Sequence, residues 1–190
     1  MRPSKAKAEE ILNEAAICNP GPWKKHSYLV AQCAERVATA CDDMDSEKAY
    51  ILGLLHDIGR KFGVSQLRHV YDGYQYMTEL GYYEAAKICL THSFCEHSIE
   101  GYVGKFDVTE EQLQLIKDIL EKTEFDDYDL LIQLCDSLAG GESIMNIEDR
   151  MLDVKRRYGS FPQTKWDRNM ELKAYFENKT GRDIYEVVGK

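Results

Sequence analysis

What the sequence lacks excludes several classes of protein. No apolar run approaches the roughly 20 residues that a membrane-spanning helix needs. The N-terminal MRPSKAKAEE has no apolar stretch of the kind found in a secretory signal. Basic residues are outnumbered, with 24 Lys and Arg against 33 Asp and Glu, and the net charge of −9 argues against general nucleic-acid or anionic-membrane binding. We therefore expect neither nucleic acid nor membrane as a partner.

The cysteines also lack the arrangement of a redox protein. No two of them form a CxxC pair, so a thioredoxin-like site is unsupported. Several lie within apolar helical patterns rather than in loops, among Cys18, Cys33, Cys41, Cys89, Cys95 and Cys135. Reduced and buried thiols of this kind are typical of cytosolic proteins, and we predict a cytoplasmic location.

The sequence contains no convincing pair of strands, no internal repeat and no low-complexity segment. Nearly every stretch has the period of a helix, and turn signals separate the stretches. Helices are predicted over residues 4–17, 22–40, 46–58, 66–80, 83–94, 109–122, 127–138, 147–158 and 165–178. Thr109 and Gln112 have the spacing of a capping box, and residues 95–108 are the expected long loop. At 190 residues the chain fits a single all-α domain, 1–190.

The segment LLHDIGR, residues 54–60, places a histidine and an aspartate at the end of an aliphatic run. The run has the composition of a helix buried on most sides, where a carboxylate is unfavourable unless it is paired or bound to a metal. His56 and Asp57 are therefore either buried residues with hydrogen-bond partners in the core or metal ligands. Gly53, one turn before Asp57, leaves room for another group to approach.

Two further polar side chains are predicted to point inward from other helices. His26 lies on the apolar face of the helix over 22–40. Asp136 lies in LLIQLCDSLAG, where the neighbouring residues are almost all apolar. Each alone is more often a hydrogen-bonded core residue than a ligand. Together with His56 and Asp57, however, they would need four separate buried partners if no metal were bound. The combination favours a metal site.

These residues resemble the motif of the HD superfamily of metal-dependent phosphohydrolases, a histidine followed by a His-Asp doublet and a distant aspartate. His26 in PWKKHSYLVA, the doublet in GLLHDIGRK and Asp136 in LIQLCDSLAG match the motif residue by residue. The resemblance covers about 22–140, and HDIG in a helical context is its most specific part. It implies an HD-domain, phosphodiesterase-like helical bundle with a metal-site core over 22–140 and C-terminal helices over 147–190.

The stretch RHVYDGYQYMTELGYYEAAKICLTHS, residues 68–93, resembles the segment by which binuclear members of that superfamily add two histidines. On this resemblance His69 and His92 hold a second metal ion, and Asp57 bridges the two ions. The order of ligands is most similar to that of the HD-type symmetrical diadenosine tetraphosphate hydrolases. The implied cofactor is a pair of divalent transition metal ions, and imidazole and carboxylate ligands suit Fe, Mn, Zn, Co or Ni.

The resemblance implies hydrolysis of a phosphoric ester or anhydride bond in a nucleotide or a dinucleoside polyphosphate, with a metal-bound hydroxide as nucleophile. Asp57 and Arg60 are the predicted catalytic residues, because Arg60 follows the doublet at the helix end and suits a phosphate contact. Lys24 and Lys25, before His26, are more typical of a solvated surface. His97 suits either a proton donor or an ordinary loop position.

Three alternatives stay open from the sequence. HD-type di-iron oxygenases share the same order of six ligands. A regulatory protein that binds nucleotides without turnover would also keep the fold, although an intact ligand set argues against it. A zinc cluster of Cys89, His92, Cys95 and His97 is the third, but its crowded spacing is unlike that of common structural zinc sites. The oligomeric state is also left open.

Overall fold

The computed structural model describes all 190 residues, which form helices and connecting loops without a β-strand. The helices are α1 (Lys5–Cys18), α2 (Trp23–Thr39), α3 (Ser46–Leu55), a 3-10 helix (Ile58–Phe62), α4 (Arg68–Glu79), α5 (Tyr83–Thr91), α6 (Glu110–Lys122), α7 (Asp127–Leu138), α8 (Ile147–Tyr158), α9 (Gln163–Thr180) and α10 (Ile184–Val188). The predicted all-α fold is confirmed. None of the helices is both long and apolar enough to cross a membrane.

The third helix ends earlier than its apolar pattern predicts. α3 stops at Leu55, and Asp57 has left helical geometry, with φ −102° and ψ 15°. The His56 side chain contributes to the break, because its Nδ1 lies 2.7 Å from the Gly53 carbonyl oxygen. In a continuous helix that carbonyl would accept the backbone N–H of Asp57. The His-Asp doublet therefore occupies a junction between two helices rather than the last turn of one.

Two other boundaries differ from the sequence prediction. α5 ends at Thr91 rather than near Phe94, so the connection to α6 is longer than the predicted loop. α10 was not predicted, since five residues are too few to show a helical period. The capping box of Thr109 and Gln112 is present at the start of α6, as predicted.

The core is centred on α2 and α3, which cross at very short range. A Cβ atom added to Gly53 would lie 2.9 Å from the Ala31 Cα atom, so only glycine permits this approach. The group that approaches Gly53 is therefore helix α2 and not a ligand. The same apolar cluster includes Phe176 of α9 and Val188 of α10, so the C-terminal helices share the core of the 22–140 segment. That the chain is one domain stays a prediction.

Asp107 fastens the long α5–α6 connection to the start of α4. Its Oδ2 accepts the Gln66 backbone N–H at 2.7 Å, and its Oδ1 accepts that of Arg68 at 2.8 Å. Arg68 is the first residue of α4, and the first N–H groups of a helix have no partner within it, so the bond to Arg68 satisfies a donor that α4 leaves free. His69 follows immediately, and its position depends on this helix start.

We expect Asp107→Ala to lower the free energy of unfolding by about 1 kcal/mol, the usual effect of losing a helix N-terminal acceptor. Burial alone would raise the pKa of Asp107, but the two backbone N–H groups lower it below its ordinary value. Because the folded pKa lies below the unfolded one, the stabilisation is present above the unfolded pKa and is lost as pH falls through the folded pKa. Urea melts of the two proteins should therefore converge in acid. Asp42→Ala, at an exposed aspartate, is the control and should change little.

Candidate metal centre

The six residues predicted as metal ligands come together at one end of the bundle. They are contributed by α2 (His26), the junction after α3 (His56 and Asp57), the first turn of α4 (His69), the end of α5 (His92) and α7 (Asp136). Their ligand atoms form three overlapping groups, each with all atoms within 4.8 Å of one another: His26, His56 and Asp57; His56, His92 and Asp136; Asp57, His69 and His92. Asp57 belongs to two of these groups. His56 and His92 also belong to two groups, so the three groups form one continuous cluster of candidate ligands.

The backbone fixes the orientation of all four imidazole rings. Each Nδ1 atom lies beside a backbone carbonyl oxygen and donates to it; in chain order the carbonyls are those of Gly140, Gly53, Gln66 and Ile88. A proton on Nδ1 leaves the lone pair of a neutral imidazole on Nε2. Metal-binding histidines are commonly held in this tautomer by the same type of contact. The arrangement therefore prepares the Nε2 atoms as ligands.

Several acceptor atoms meet in the buried part of the cluster, and two of them have no hydrogen-bond donor. His56 Nε2 and Asp57 Oδ1 are buried and accept no hydrogen bond. The Nε2 atoms of His69 and His92 lie 3.4 Å apart, and Asp57 Oδ1 lies 3.1 Å from the first and 3.7 Å from the second. Unfilled acceptors at such distances are unfavourable unless a cation is shared between them. The residues present therefore fit a divalent transition metal.

Electrostatics keeps the carboxylates charged and two of the rings neutral. Burial alone would raise the pKa of Asp57, but the Arg60 guanidinium and the neighbouring histidines hold it well below its ordinary value. Burial likewise opposes the charge on Asp136, yet His26 lowers the pKa of that carboxyl. Burial lowers the pKa of His56, and it lowers the pKa of His92 to about 3. Anionic carboxylates and neutral imidazoles are the states that bind metal ions.

His26 and Asp136 form the more exposed corner of the cluster. His26 Nε2 lies 2.9 Å from Asp136 Oδ1, and the Asp136 side chain is 31% exposed. Burial alone would lower the pKa of His26, but the hydrogen bond to Asp136 and the negative charges of Asp136 and Asp57 together raise it. A metal ion bound to both residues would displace the proton between them.

A cavity of about 630 Å³ opens over the cluster. This volume lies within the range of small-molecule sites. Arg60 lines the cavity, and its Nε donates to Asp57 Oδ2 at 2.6 Å. Its two terminal nitrogens have no protein acceptor, so the side chain is able to hold Asp57 and contact a bound anion together.

Comparison with known families agrees with this geometry. The family model for the HD domain matches residues 24–141, which is more than half of the chain and includes all six clustered residues, from His26 to Asp136. The chain belongs to the HD domain family. HD domains bind divalent metals, and most members are metal-dependent hydrolases. No curated protein matched the chain significantly, and neither did any solved structure.

Some sequence candidates lie outside the centre of this HD domain. His97 does not line the cavity; its Nδ1 bonds to the Leu120 carbonyl at 3.2 Å, and its ring stacks on Phe125 with centroids 4.5 Å apart. Nothing in this position favours the proton-donor role for His97. Lys24 and Lys25 do not line the cavity either, in keeping with a surface role.

The alternative zinc cluster in CLTHSFCEH is not formed. Cys89 is buried and its Sγ contacts the Leu55 carbonyl at 3.2 Å, while His92 faces Asp57 and His69. None of the close groups of potential metal ligands contains a cysteine. α5 ends at Thr91, so Cys95 and His97 lie in the loop beyond it, and helical spacing does not bring them to the same point as Cys89 and His92.

The sequence did not reveal the rest of the cavity wall of the HD domain. Side chains missed there include Ser93, Tyr102, Arg150, Tyr158, Phe161 and Lys165. Only Ser93, adjacent to a candidate ligand, carried a usable signal, and its Oγ lies 3.0 Å from His92 Nε2. The others lie in a loop or in the charged C-terminal helices, where the pattern is that of a solvated face.

Proposed function

We propose that the protein is a phosphohydrolase with two metal ions that acts on a nucleotide or a dinucleoside polyphosphate. The observation that carries the proposal is the position of the Asp57 carboxylate. Its oxygens lie within 4.0 Å of the Nε2 atoms of three buried histidines, His56, His69 and His92. In this assignment His26, His56, Asp57 and Asp136 hold one ion. Asp57, His69 and His92 hold the other.

When bound, the ions stabilise charge on a phosphoryl group and acidify an attacking water. The side chains of the protein orient the ligands, contact the phosphate and exclude water. Arg60 keeps Asp57 ionised and in place through the Nε contact, and its free nitrogens suit a phosphoryl oxygen. The deep part of the centre is shielded from bulk water, since His56, Asp57, His69 and His92 are each no more than 5% exposed. Shielding of this kind strengthens every charge interaction with a bound phosphate.

The composition of the cavity wall supports the nucleotide assignment. Aromatic side chains, Trp23, Tyr102 and Tyr158, line the same cavity as Arg60. Aromatic rings stack on planar bases and cations bind phosphates, so the cavity offers partners for both parts of a nucleotide. The local cations also oppose the repulsion that a net charge of −9 exerts on an anionic substrate.

We expect the purified protein to carry more than one transition metal ion per chain, and His69→Ala or His92→Ala to reduce the number to at most one. The reason is that the proposed assignment gives these two histidines to the second ion alone. Elemental analysis of protein purified without added metal measures the stoichiometry. His97→Ala is the matched control and should leave it unchanged, because His97 lies outside the cavity.

The same preparations are then screened for phosphate release from nucleoside mono-, di- and triphosphates and from dinucleoside polyphosphates. A stoichiometry that saturates at one ion, unaltered by His69→Ala, would contradict the binuclear centre and leave a mononuclear hydrolase. Oxygen consumption with an organic substrate, without phosphate release, would instead support an HD-type oxygenase. Nucleotide binding without turnover would support a regulatory protein.

A further inference from the structure

One wall of the cavity comes from the part of the chain that follows the HD match. α8, α9 and the connection between them contribute side chains to the lining: Arg150, Met151, Asp153, Val154, Arg157, Tyr158, Phe161, Lys165 and Asn169. All lie beyond residue 141, where the family match ends. The C-terminal helices therefore face the same space as the metal centre, and they are able to select what binds there.

Four cationic side chains line this cavity, and one of them differs from the others. The three arginines each have a carboxylate within 4.0 Å, and they are Arg60, Arg150 and Arg157. Lys165 has no carboxylate partner within that distance, although it belongs to the same wall. Its charge is therefore the one in the cavity that no protein anion neutralises by direct contact.

The surroundings of Lys165 hold its amine beside the metal centre. Nζ donates to the Ser93 carbonyl at 3.0 Å, and Ser93 directly follows His92. An ammonium group has three donors, so two N–H groups of Lys165 have no protein acceptor. Burial lowers the pKa of Lys165, while Cys95 and Asp136 act weakly in the opposite direction. A desolvated cation with unfilled donors is stabilised when an anion binds beside it.

We propose that Lys165 binds a phosphoryl oxygen of the substrate in the cavity, so that α9 places the phosphate against the metal centre. The identity of the anion as substrate rests on the proposed function. The anion site itself does not, because it follows from the unpaired amine and from the cavity. Phosphate is the class of anion that fits, since its several oxygens are able to fill both free donors of Lys165 while others face Arg60.

Calorimetric titration of inorganic phosphate into the metal-loaded protein tests the site directly. Lys165→Met should weaken phosphate binding about tenfold or more, as expected for a lost charged hydrogen bond, with unchanged metal content. Lys165→Arg should retain most of the affinity. The matched control is Lys155→Met on α8, which removes the same charge from an exposed side chain outside the cavity and should bind phosphate like the wild type.

Kinetics on a phosphorylated substrate then separates this site from the proposed function. A rise in KM for Lys165→Met that exceeds its fall in kcat is expected. If no variant or wild type releases phosphate, the proposed function fails, but the comparison of phosphate affinities still decides the anion site. Wild-type protein that does not bind phosphate, or Lys165→Met protein that binds it equally well, would overturn the site.

A third measurement covers the case in which Lys165→Met does not fold. Wild-type protein is treated with trinitrobenzenesulfonate, which modifies amines, and the labelled lysines are identified by mass spectrometry. Inorganic phosphate should protect Lys165 and leave Lys155 unaffected. Equal labelling of Lys165 with and without phosphate would refute the proposal.

Discussion

Asp57→Asn is expected to remove both metal ions together and to lower turnover by orders of magnitude, while the helical circular dichroism is retained. Asp57 Oδ1 lies among the Nε2 atoms of His69 and His92, and Oδ2 lies 3.8 Å from His56 Nε2. Asparagine keeps the shape of the side chain but removes the negative charge and one anionic oxygen. Because Asp57 belongs to both ligand groups around it, a change there weakens two ions at once.

The opposite outcome has an equally clear meaning. If Asp57 is only a buried partner of Arg60 and the histidines, Asp57→Asn leaves the metal content intact and lowers stability by about 3 kcal/mol. Metal content and melting temperature are therefore measured on one sample. Asp129→Asn is the matched control, since Asp129 is also buried and paired, with Lys87 at 2.6 Å, but lies outside the cluster. The control should lose stability and keep its metal.

Gly59→Ala is expected to lower the free energy of unfolding by about 3 kcal/mol or more, at the upper end of overpacking effects. A Cβ atom at this position would lie 1.9 Å from the His69 carbonyl oxygen and 2.5 Å from the Gly73 backbone nitrogen. Both atoms belong to the backbone of α4, so no side-chain rotation relieves the clash. The 3-10 helix and α4 must separate, and His69 moves away from Asp57.

The loss should appear in two measurements. The melting temperature falls by about 6–12 °C for a chain of this size, and metal stoichiometry falls because His69 no longer reaches the centre. Gly141→Ala is the control, since an added Cβ meets nothing within 4 Å there. Gly59→Ala protein with wild-type stability and metal content would show that the packing of the 3-10 helix on α4 is not needed to place His69.

The glycine of HDIG thus has a mechanical explanation that the sequence did not supply. The motif predicted a metal site, but a glycine at a helix end also fits a simple stop signal. Only the crossing of two backbones at Gly59 shows why a side chain is not accommodated there. The neighbouring Gly53 has a similar explanation, since α2 rather than a ligand occupies the space beside it.

The sequence by itself determined the fold class and named six candidate ligands. Helical periodicity marks the buried face of each helix, so the sequence predicted that His26 and Asp136 point inward. The resemblance to the HD superfamily added His69 and His92 to the candidates. The structure then placed all six candidates in three overlapping groups of close ligand atoms.

Only the tertiary structure decided what surrounds that cluster. Periodicity shows that a face is buried or solvated but not which distant segment it meets, so the approach of Lys165 to Ser93, 72 residues away, left no local signal. The exclusion of His97 has the same cause, because its ring is held by α6 and Phe125 rather than by its neighbours in sequence. Even the break at His56 depends on a side chain competing for a backbone carbonyl, an interaction that residue patterns do not encode.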